Sequence, residues 1–455
     1  MPAIHVDLTN TSGPLPPVNG IDNGPVCFGS LIDSSRYYRQ AAFPYCRLHD
    51  TNYPHPREVD IPTIFRDFDA DPDDPASYFF GPTDAYLHEV LATGAKIIYR
   101  LGISIEHPKL KLYTAPPKDA EKWAKICLQI ARHCNEGWAN GYHMGIEYWE
   151  VWNEPDHLAP ERGEDKMWAG TPEEYCALYA ATARLFKAHM PTVKIGGYGA
   201  CGMLSPALHA YFINFLRWNQ ARGIPLDFFS WHTYTSRLED IHQNARIARE
   251  ALDAFGYTRT ESMCNEWNYM VGIPRMWESI FAGDGAPARR EVFAETSGVI
   301  GAAFTAAALI DMVDLPVDIA TFYDGQPTNL FGTLFDRYGL PTKQFFAFDA
   351  FARLRAHGPR AALSCDAAGV HALATTAQGG ARVLIANWEG RTQSIALHIG
   401  GLDADAPYRY TVHALDETRD LAVVTEAVGR PSALPTHVYV HQHSVVLVCV
   451  EVCAA

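Results

Sequence analysis

Between residues 25 and 355 the chain alternates short apolar runs with amphipathic helical stretches, and this alternation limits the fold more than any other feature. Eight runs have the length and composition of strands: 26–32, 45–49, 96–101, 146–152, 193–197, 227–232, 262–266 and 318–323. Helical periodicity fills the intervals at 84–93, 118–135, 172–189, 208–222, 238–255, 290–312 and 343–356. Gly94, Gly141, Pro191, Gly223, Gly256 and Pro316 stand at the joins, where helices stop and strands begin. Strand and helix in alternation predict a parallel sheet, and eight such units predict an α/β fold of the (β/α)8 barrel type.

Past residue 358 the helical period disappears. Short alternating runs at 370–375, 382–387, 394–398, 408–415 and 437–450 predict the antiparallel strands of an accessory β-sandwich, which the run 3–8 can join from the other end of the chain. The expected domains are therefore a barrel over 20–357 and a sandwich built from 1–19 and 358–455. The acidic stretch within 60–83 reads as a solvated insertion, or as one wall of a cleft.

Composition narrows the partners. A formal net charge of −15 and the absence of any Lys/Arg-rich run argue against nucleic acid. The most apolar stretch, 299–310, is too short to cross a bilayer, so no membrane partner is expected. The 10 cysteines include no CxxC pair, and no leader-like segment opens the chain, so a reducing, cytoplasmic location is expected. No HxH motif sits on the first strand, which gives no support to a metal-dependent barrel hydrolase; no cofactor is expected.

Two glutamates sit where a barrel does its chemistry. Residues 146–155 read IEYWEVWNEP; Pro155 cannot extend a strand, which leaves Glu154 at the C-terminal tip of the fourth strand. Residues 263–268 read MCNEWN and carry Glu266 to the tip of the seventh. Glu261, at the start of that strand, belongs to the opposite, stability face, whereas Glu147 and Glu150 lie mid-strand and need basic partners such as Arg100. Two carboxyls facing each other across a barrel mouth suit glycoside cleavage, in which one protonates the departing oxygen, the other attacks the anomeric carbon, and the two stand roughly 5 to 5.5 Å apart. At that spacing and an effective dielectric of about 20 their repulsion is roughly 3 kcal/mol, enough to keep one of them protonated.

These motifs resemble the clan of (β/α)8 retaining glycosidases and, within it, glycoside hydrolase family 39, which holds β-xylosidases, α-L-iduronidases and exopolysaccharide hydrolases. Further points of similarity are Arg47-Leu48-His49-Asp50, His232-Thr233-Tyr234, Phe331-Gly332-Thr333-Leu334 and Gly339 to Lys343. The resemblance implies Glu154 as acid/base and Glu266 as nucleophile. It implies Asn153 on the sugar 2-hydroxyl, Tyr234 on the nucleophile, and His49 and His232 on sugar hydroxyls or the carboxylates. Trp267, just beyond Glu266, is expected to stack on a sugar, and Tyr323 on the eighth strand to line the same site. The expected activity is hydrolysis through a covalent glycosyl-enzyme, exo-acting on oligosaccharides or small glycosides in the manner of a β-xylosidase. Endo-cleavage of an exopolysaccharide and non-catalytic carbohydrate binding are the alternatives. The expected partner is a carbohydrate substrate, with homo-oligomer formation left open.

Overall fold

The computed structural model describes residues 1–52, 57–106, 110–157, 167–271, 283–327 and 334–453; the motif residues Phe331, Gly332 and Thr333 lie outside them. After an N-terminal strand β1 (Ala3–Thr11), the chain enters the barrel with β2 (Gly20–Asp22) and makes a small ribbon, β3 (Val26–Cys27) and β4 (Ile32–Asp33). The barrel continues with β5 (Tyr45–Leu48), β6 (Lys96–Leu101), β7 (Tyr148–Val151), β8 (Lys194–Ala200), β9 (Phe228–Thr235), β10 (Glu261–Tyr269) and β11 (Ile319–Phe322). The strands β2, β5 to β11 close on themselves, each parallel to its neighbours. Eight parallel strands with helices outside bury both faces of the sheet, which is why the runs read as apolar.

One strand differs from the sequence expectation. The run 26–32 is not the first barrel strand; Phe28, Gly29 and Ser30 adopt positive φ (53°, 65° and 66°) and fold it back as the β3–β4 ribbon. The barrel takes Gly20-Ile21-Asp22 instead, where a Cβ on Gly20 would sit 2.7 Å from the Ala320 carbonyl, so the neighbouring strand is approached as only glycine allows. The expected helix 290–312 is two helices, Ala286–Ser297 and Val299–Met312, bent by 43° at Gly298. Among the described residues no single helix is long and apolar enough to cross a membrane.

The remaining strands are β12 (Arg360–Cys365), β13 (Val370–Ala377), β14 (Gly380–Asn387), β15 (Gln393–Gly400), β16 (Tyr408–Leu415), β17 (Ala422–Gly429), β18 (His437–Val440) and β19 (Ser444–Val452). They form one mixed sheet in the order β17-β16-β19-β14-β13-β12-β1-β15-β18. β1 runs antiparallel to β12 and parallel to β15, so the sheet is not wholly antiparallel. The run 437–450 is two strands, because the chain turns at His443 (φ 52°) and sends β18 and β19 to different places in the sheet. One face, with Leu373, Leu384, Val445 and Leu447, joins the barrel core; the other wraps its own core of Ile4, Val6, Ile385, Ile395, Tyr408 and Val448. The buried, alanine-rich helix Val299–Met312 lies between barrel and sheet, where small side chains let both approach. The acidic insertion is an outer feature: Asp67, Asp69, Asp71, Asp73 and Asp74 are exposed, and Asp73 pairs with Lys125 on the helix Ala120–Glu136.

Candidate active site

Successive side chains on a strand point alternately into the barrel and out to the helices. The interior therefore fills in layers. Ile98, Tyr148, Phe228, Met263 and Ile319 make an apolar floor at the strands' N-terminal ends. Below that floor Lys194 pairs with Glu147 (3.0 Å) and with Glu261 (2.6 Å), both away from the mouth.

Two residues further along each strand the interior becomes polar and turns on Arg47, which is wholly buried. Its Nε donates to Glu150 Oε2 (2.7 Å), its Nη1 to Glu266 Oε1 (2.6 Å) and Asp22 Oδ1 (3.2 Å), and its Nη2 to Asn153 Oδ1 (2.6 Å). Glu150 thus pairs with Arg47 rather than with Arg100, its register neighbour on β6, which donates instead to Asp60 (2.7 Å) and to His49 Nδ1 (3.2 Å). The second oxygen of Glu150 accepts from Ser230 Oγ and Asn265 Nδ2, each at 2.6 Å. A buried guanidinium needs this many partners to offset its lost hydration. Burial pushes the Asp22 carboxyl well above the usual range, only partly relieved by Arg47.

The uppermost layer brings the two glutamates together. Glu266 reaches the interior through an irregularity: the pairing of β10 with β9 shifts between Cys264 and Glu266, so Asn265 and Glu266 both face inward. Its Oε2 accepts from the Tyr234 hydroxyl at 2.5 Å. Glu154 stands beyond β7 with φ 45°, a left-handed conformation uncommon for glutamate, its N–H held by the Gly199 carbonyl at 2.9 Å. His232 Nδ1 lies 2.7 Å from Glu154 Oε1 and 3.4 Å from Glu266 Oε2, and His157 Nδ1 lies 3.0 Å from Glu154 Oε2. A carboxylate oxygen of Glu154, one of Glu266 and a His232 nitrogen all fall within 4.8 Å of one another. Close packing at this point depends on Gly199 (φ 63°), since a Cβ there would lie 3.0 Å from Asn153 Oδ1 and 3.2 Å from His232 Nε2.

The electrostatics depart from simple mutual repulsion of two carboxylates. Burial raises Glu154, but hydrogen bonds from His157 and His232 and the charge of His232 outweigh it, and hold it well below the usual carboxylate range. For His232 burial works downward and is overcome by Glu266 and Glu154, so its pKa is raised. Both shifts favour a protonated His232 beside an ionised Glu154. On the opposite wall His49 is held neutral by burial and by Arg100 and Arg47. Asp50, beside it, is pushed up to about 7 by burial, with the charge of Glu266 adding to the shift. Asp50 accepts from the Tyr323 hydroxyl (2.9 Å) and the Ile105 N–H (2.6 Å).

Of the residues expected from the sequence, Glu154, Glu266, Asn153, His232 and Tyr234 converge, and His49 and Tyr323 lie on the adjoining wall. Trp267 does not. It is fully buried on the outer side of β10, edge-on to Phe322 (5.2 Å) and against Phe348 (6.1 Å) of the helix Lys343–His357, because the bulge that turns Glu266 inward turns its neighbour out. Sugar stacking by Trp267 is excluded by that position. In the sequence reading Arg47 and Asp50 entered only as part of a motif of resemblance, Glu150 only as a mid-strand carboxylate in need of a partner, and His157 not at all. Arg47 is spaced two residues from His49 in an apolar run, which places both on one face, and a charge on the inner face of a barrel strand has to be paired.

Residues 38–259 match the model of glycosyl hydrolases family 39, a segment that carries Arg47, Asn153, Glu154, His232 and Tyr234. Over that segment, just under half of its length, the chain is similar to the family. The chain is 24% identical over 282 residues to a β-xylosidase from Caldicellulosiruptor saccharolyticus, covering 60% of the chain and 49% of the relative. It is 33% identical over 127 residues to one from Geobacillus stearothermophilus, covering 27% and 22%. The chain thus spans less than half the length of these curated relatives. In fold it is similar to a glucosidase from Croceicoccus marinus, with TM-score 0.82 and 24% identity over 100% of this chain and 99% of that one. A family-51 α-L-arabinofuranosidase from Thermotoga petrophila superposes with TM-score 0.67 at 14% identity, covering 99% of this chain and 100% of that one.

Proposed function

We propose that this chain is a retaining β-glycosidase of family 39 that removes a terminal sugar from small glycosides or oligosaccharides. The observation that carries the proposal is the approach of Glu154 and Glu266 oxygens within 4.8 Å at the barrel mouth, the spacing of a double displacement rather than of direct attack by water. Glu266 attacks the anomeric carbon while the leaving oxygen takes a proton from Glu154; the resulting glycosyl ester is then cleaved by a water whose proton returns to Glu154. Arg47 and Tyr234, one on each oxygen, fix the attacking carboxylate. His232 keeps the site's proton 2.7 Å from Glu154, ready to be handed over as the leaving group departs. Esterification of Glu266 removes a negative charge beside His232 and Glu154, which favours the ionised Glu154 that the second step needs as base.

The β-xylosidase relatives and the glucosidase of similar fold support a β-linked pentose or hexose as the sugar. The buried, hydrogen-bonded wall of His49, Asp50 and Tyr323 suits a pocket for one terminal residue. The test uses nitrophenyl β-D-xyloside and β-D-glucoside with proton NMR of the first product. Release of the β-anomer is expected, and loss of turnover in Glu266→Ala, with azide converting that variant's slow reaction into an α-glycosyl azide. An initial α-anomer, or full turnover in Glu266→Ala, would refute the mechanism.

A further inference from the structure

At the mouth the acid/base Glu154 also belongs to a second constellation, whose other two members supply no proton or nucleophile to double displacement. Glu154, His157 and Cys201 each present a donor atom, a carboxylate oxygen, an imidazole nitrogen and a thiol sulfur, and the three lie within 4.8 Å of one another. They come from two neighbouring strand ends. Glu154 and His157 follow β7; Cys201 is the first residue past β8. The two ends are tied by the Glu154 N–H to the Gly199 carbonyl (2.9 Å) and by the Cys201 N–H to Asp156 Oδ1 (3.2 Å), so the donors are held rather than gathered by chance. All three side chains are partly exposed, while Asp156 behind them is buried, with Oδ2 lacking a hydrogen-bond partner.

We propose that Glu154, His157 and Cys201 form an inhibitory site for a thiophilic divalent cation of the Zn2+ class, with a water as fourth ligand. One sulfur, one nitrogen and one carboxylate oxygen make a donor set of the kind zinc takes, and a hard cation such as Mg2+ has no preference for it. Tetrahedral bonds of about 2.0–2.3 Å put donors roughly 3.4 Å apart, so the trio needs only a small contraction. Glu154 Oε2 and His157 Nδ1 are already 3.0 Å apart. The ion replaces the thiol proton, which leaves to solvent, and takes the lone pair of neutral His157 at Nδ1 with the ring proton on Nε2. It engages Oε2 of Glu154, leaving Oε1 to His232. A carboxylate bound to a dication cannot carry the proton that the departing sugar oxygen requires. Inhibition therefore rests on the acid/base reading of Glu154, whereas binding does not.

The experiment titrates Co2+ into the metal-free full chain and follows the thiolate-to-metal charge-transfer absorption in the near ultraviolet. Alongside it, Zn2+ and Mg2+ inhibition of nitrophenyl glycoside hydrolysis is measured relative to each variant's own metal-free rate. A one-to-one band displaced by Zn2+ but not by Mg2+ is expected, and its loss in Cys201→Ser. Cys201→Ser and His157→Ala should each raise the half-inhibiting Zn2+ concentration by at least about tenfold, the low end of what even an outer-sphere change costs a metal site. Absence of the band in the wild type, its survival in Cys201→Ser, or inhibition unchanged in both variants would overturn the proposal; the last would move the ion to Glu154, His232 and Glu266. A band without any glycoside hydrolysis would sustain the site and remove the glycosidase reading instead.

Discussion

Replacing Arg47 by methionine is the sharpest test of how the site is held together. The side chain fits a similar volume but removes four hydrogen bonds, two of them to the carboxylates Glu150 and Glu266 at 2.7 and 2.6 Å. Removing one partner of a buried ion pair costs about 3–5 kcal/mol, because the abandoned charges stay buried. With an unfolding entropy of about 2.1 cal/mol/K per residue, the 455 residues give roughly 1 kcal/mol per degree. The expected fall in melting temperature is thus about 3–5 °C, read by calorimetry. Activity should suffer more: Glu266 loses the donor that orients it, and kcat/KM should drop by roughly 10²-fold or more, the cost of losing one fixed donor to a reacting charge. The double variant Arg47→Met/Glu150→Gln should recover part of the stability, since it removes a stranded charge, but none of the activity. Melting within 1 °C of wild type, or rescue of activity by the second change, would refute the placement of Arg47 as the electrostatic keystone of the barrel.

Four further outcomes follow. Tyr234→Phe removes the 2.5 Å hydrogen bond to Glu266 and should lower kcat by roughly 10²-fold with a much smaller change in KM; an unaltered kcat refutes it. Gly199→Ala forces a side chain into φ 63° and against Asn153, costing about 1–3 kcal/mol and reducing kcat/KM, which melting and steady-state assays report together. Trp267→Ala empties a core position and should cost about 3–5 kcal/mol while leaving KM near wild type; a KM effect without destabilisation would restore the stacking role. The last concerns pH. Asp311 is gripped by His242 (2.8 Å) from the helix Leu238–Ala254 and by His371 (2.6 Å) on β13. The hydrogen bond to Asp311 raises His242, so its contribution is complete below its unfolded pKa, about 6.5, and fades as pH rises through the folded value. For Asp311 burial acts upward but the two histidines win and lower it, so its share is complete above about 3.9 and fades as pH falls further. The gap in melting temperature between wild type and Asp311→Asn should therefore be widest between about pH 4 and 6.5; a gap that grows above pH 8 would refute it.

The parts of the fold legible in the sequence are those with a strong local signal. The helix Pro172–His189 carries its capping box, Thr171 with Glu174, in plain view. The strand Lys96–Leu101 is apolar along its buried length, as a strand covered on both faces must be. β2 carries no such signal: three residues including a glycine and an aspartate form a barrel strand because β11 and β5 on either side supply the ladder. Glu154 and Glu266 were legible because each lies near the C-terminal end of a barrel strand, Glu154 just past β7 and Glu266 in the last half of β10, and those ends share one mouth. Simple alternation misplaces Trp267 because β10 carries one extra residue between Cys264 and Glu266, which shows only in its pairing with β9 and β11. His157 and Cys201 meet only because β7 and β8 are neighbours, a relation between segments that local pattern does not encode.

β1 has a consequence for how the molecule is made. Ile4 is registered against Cys365 on one side and Leu397 on the other, so when β1 leaves a ribosome both its neighbours are still unsynthesised. At about 5–20 residues per second the wait is on the order of half a minute. During it the barrel can close, whereas Ile4, Val6 and Leu8 stay unpaired and exposed to any other strand edge in reach. Completion of the second core thus waits on the synthesis of β12 and β15, and β1 is committed only when they arrive.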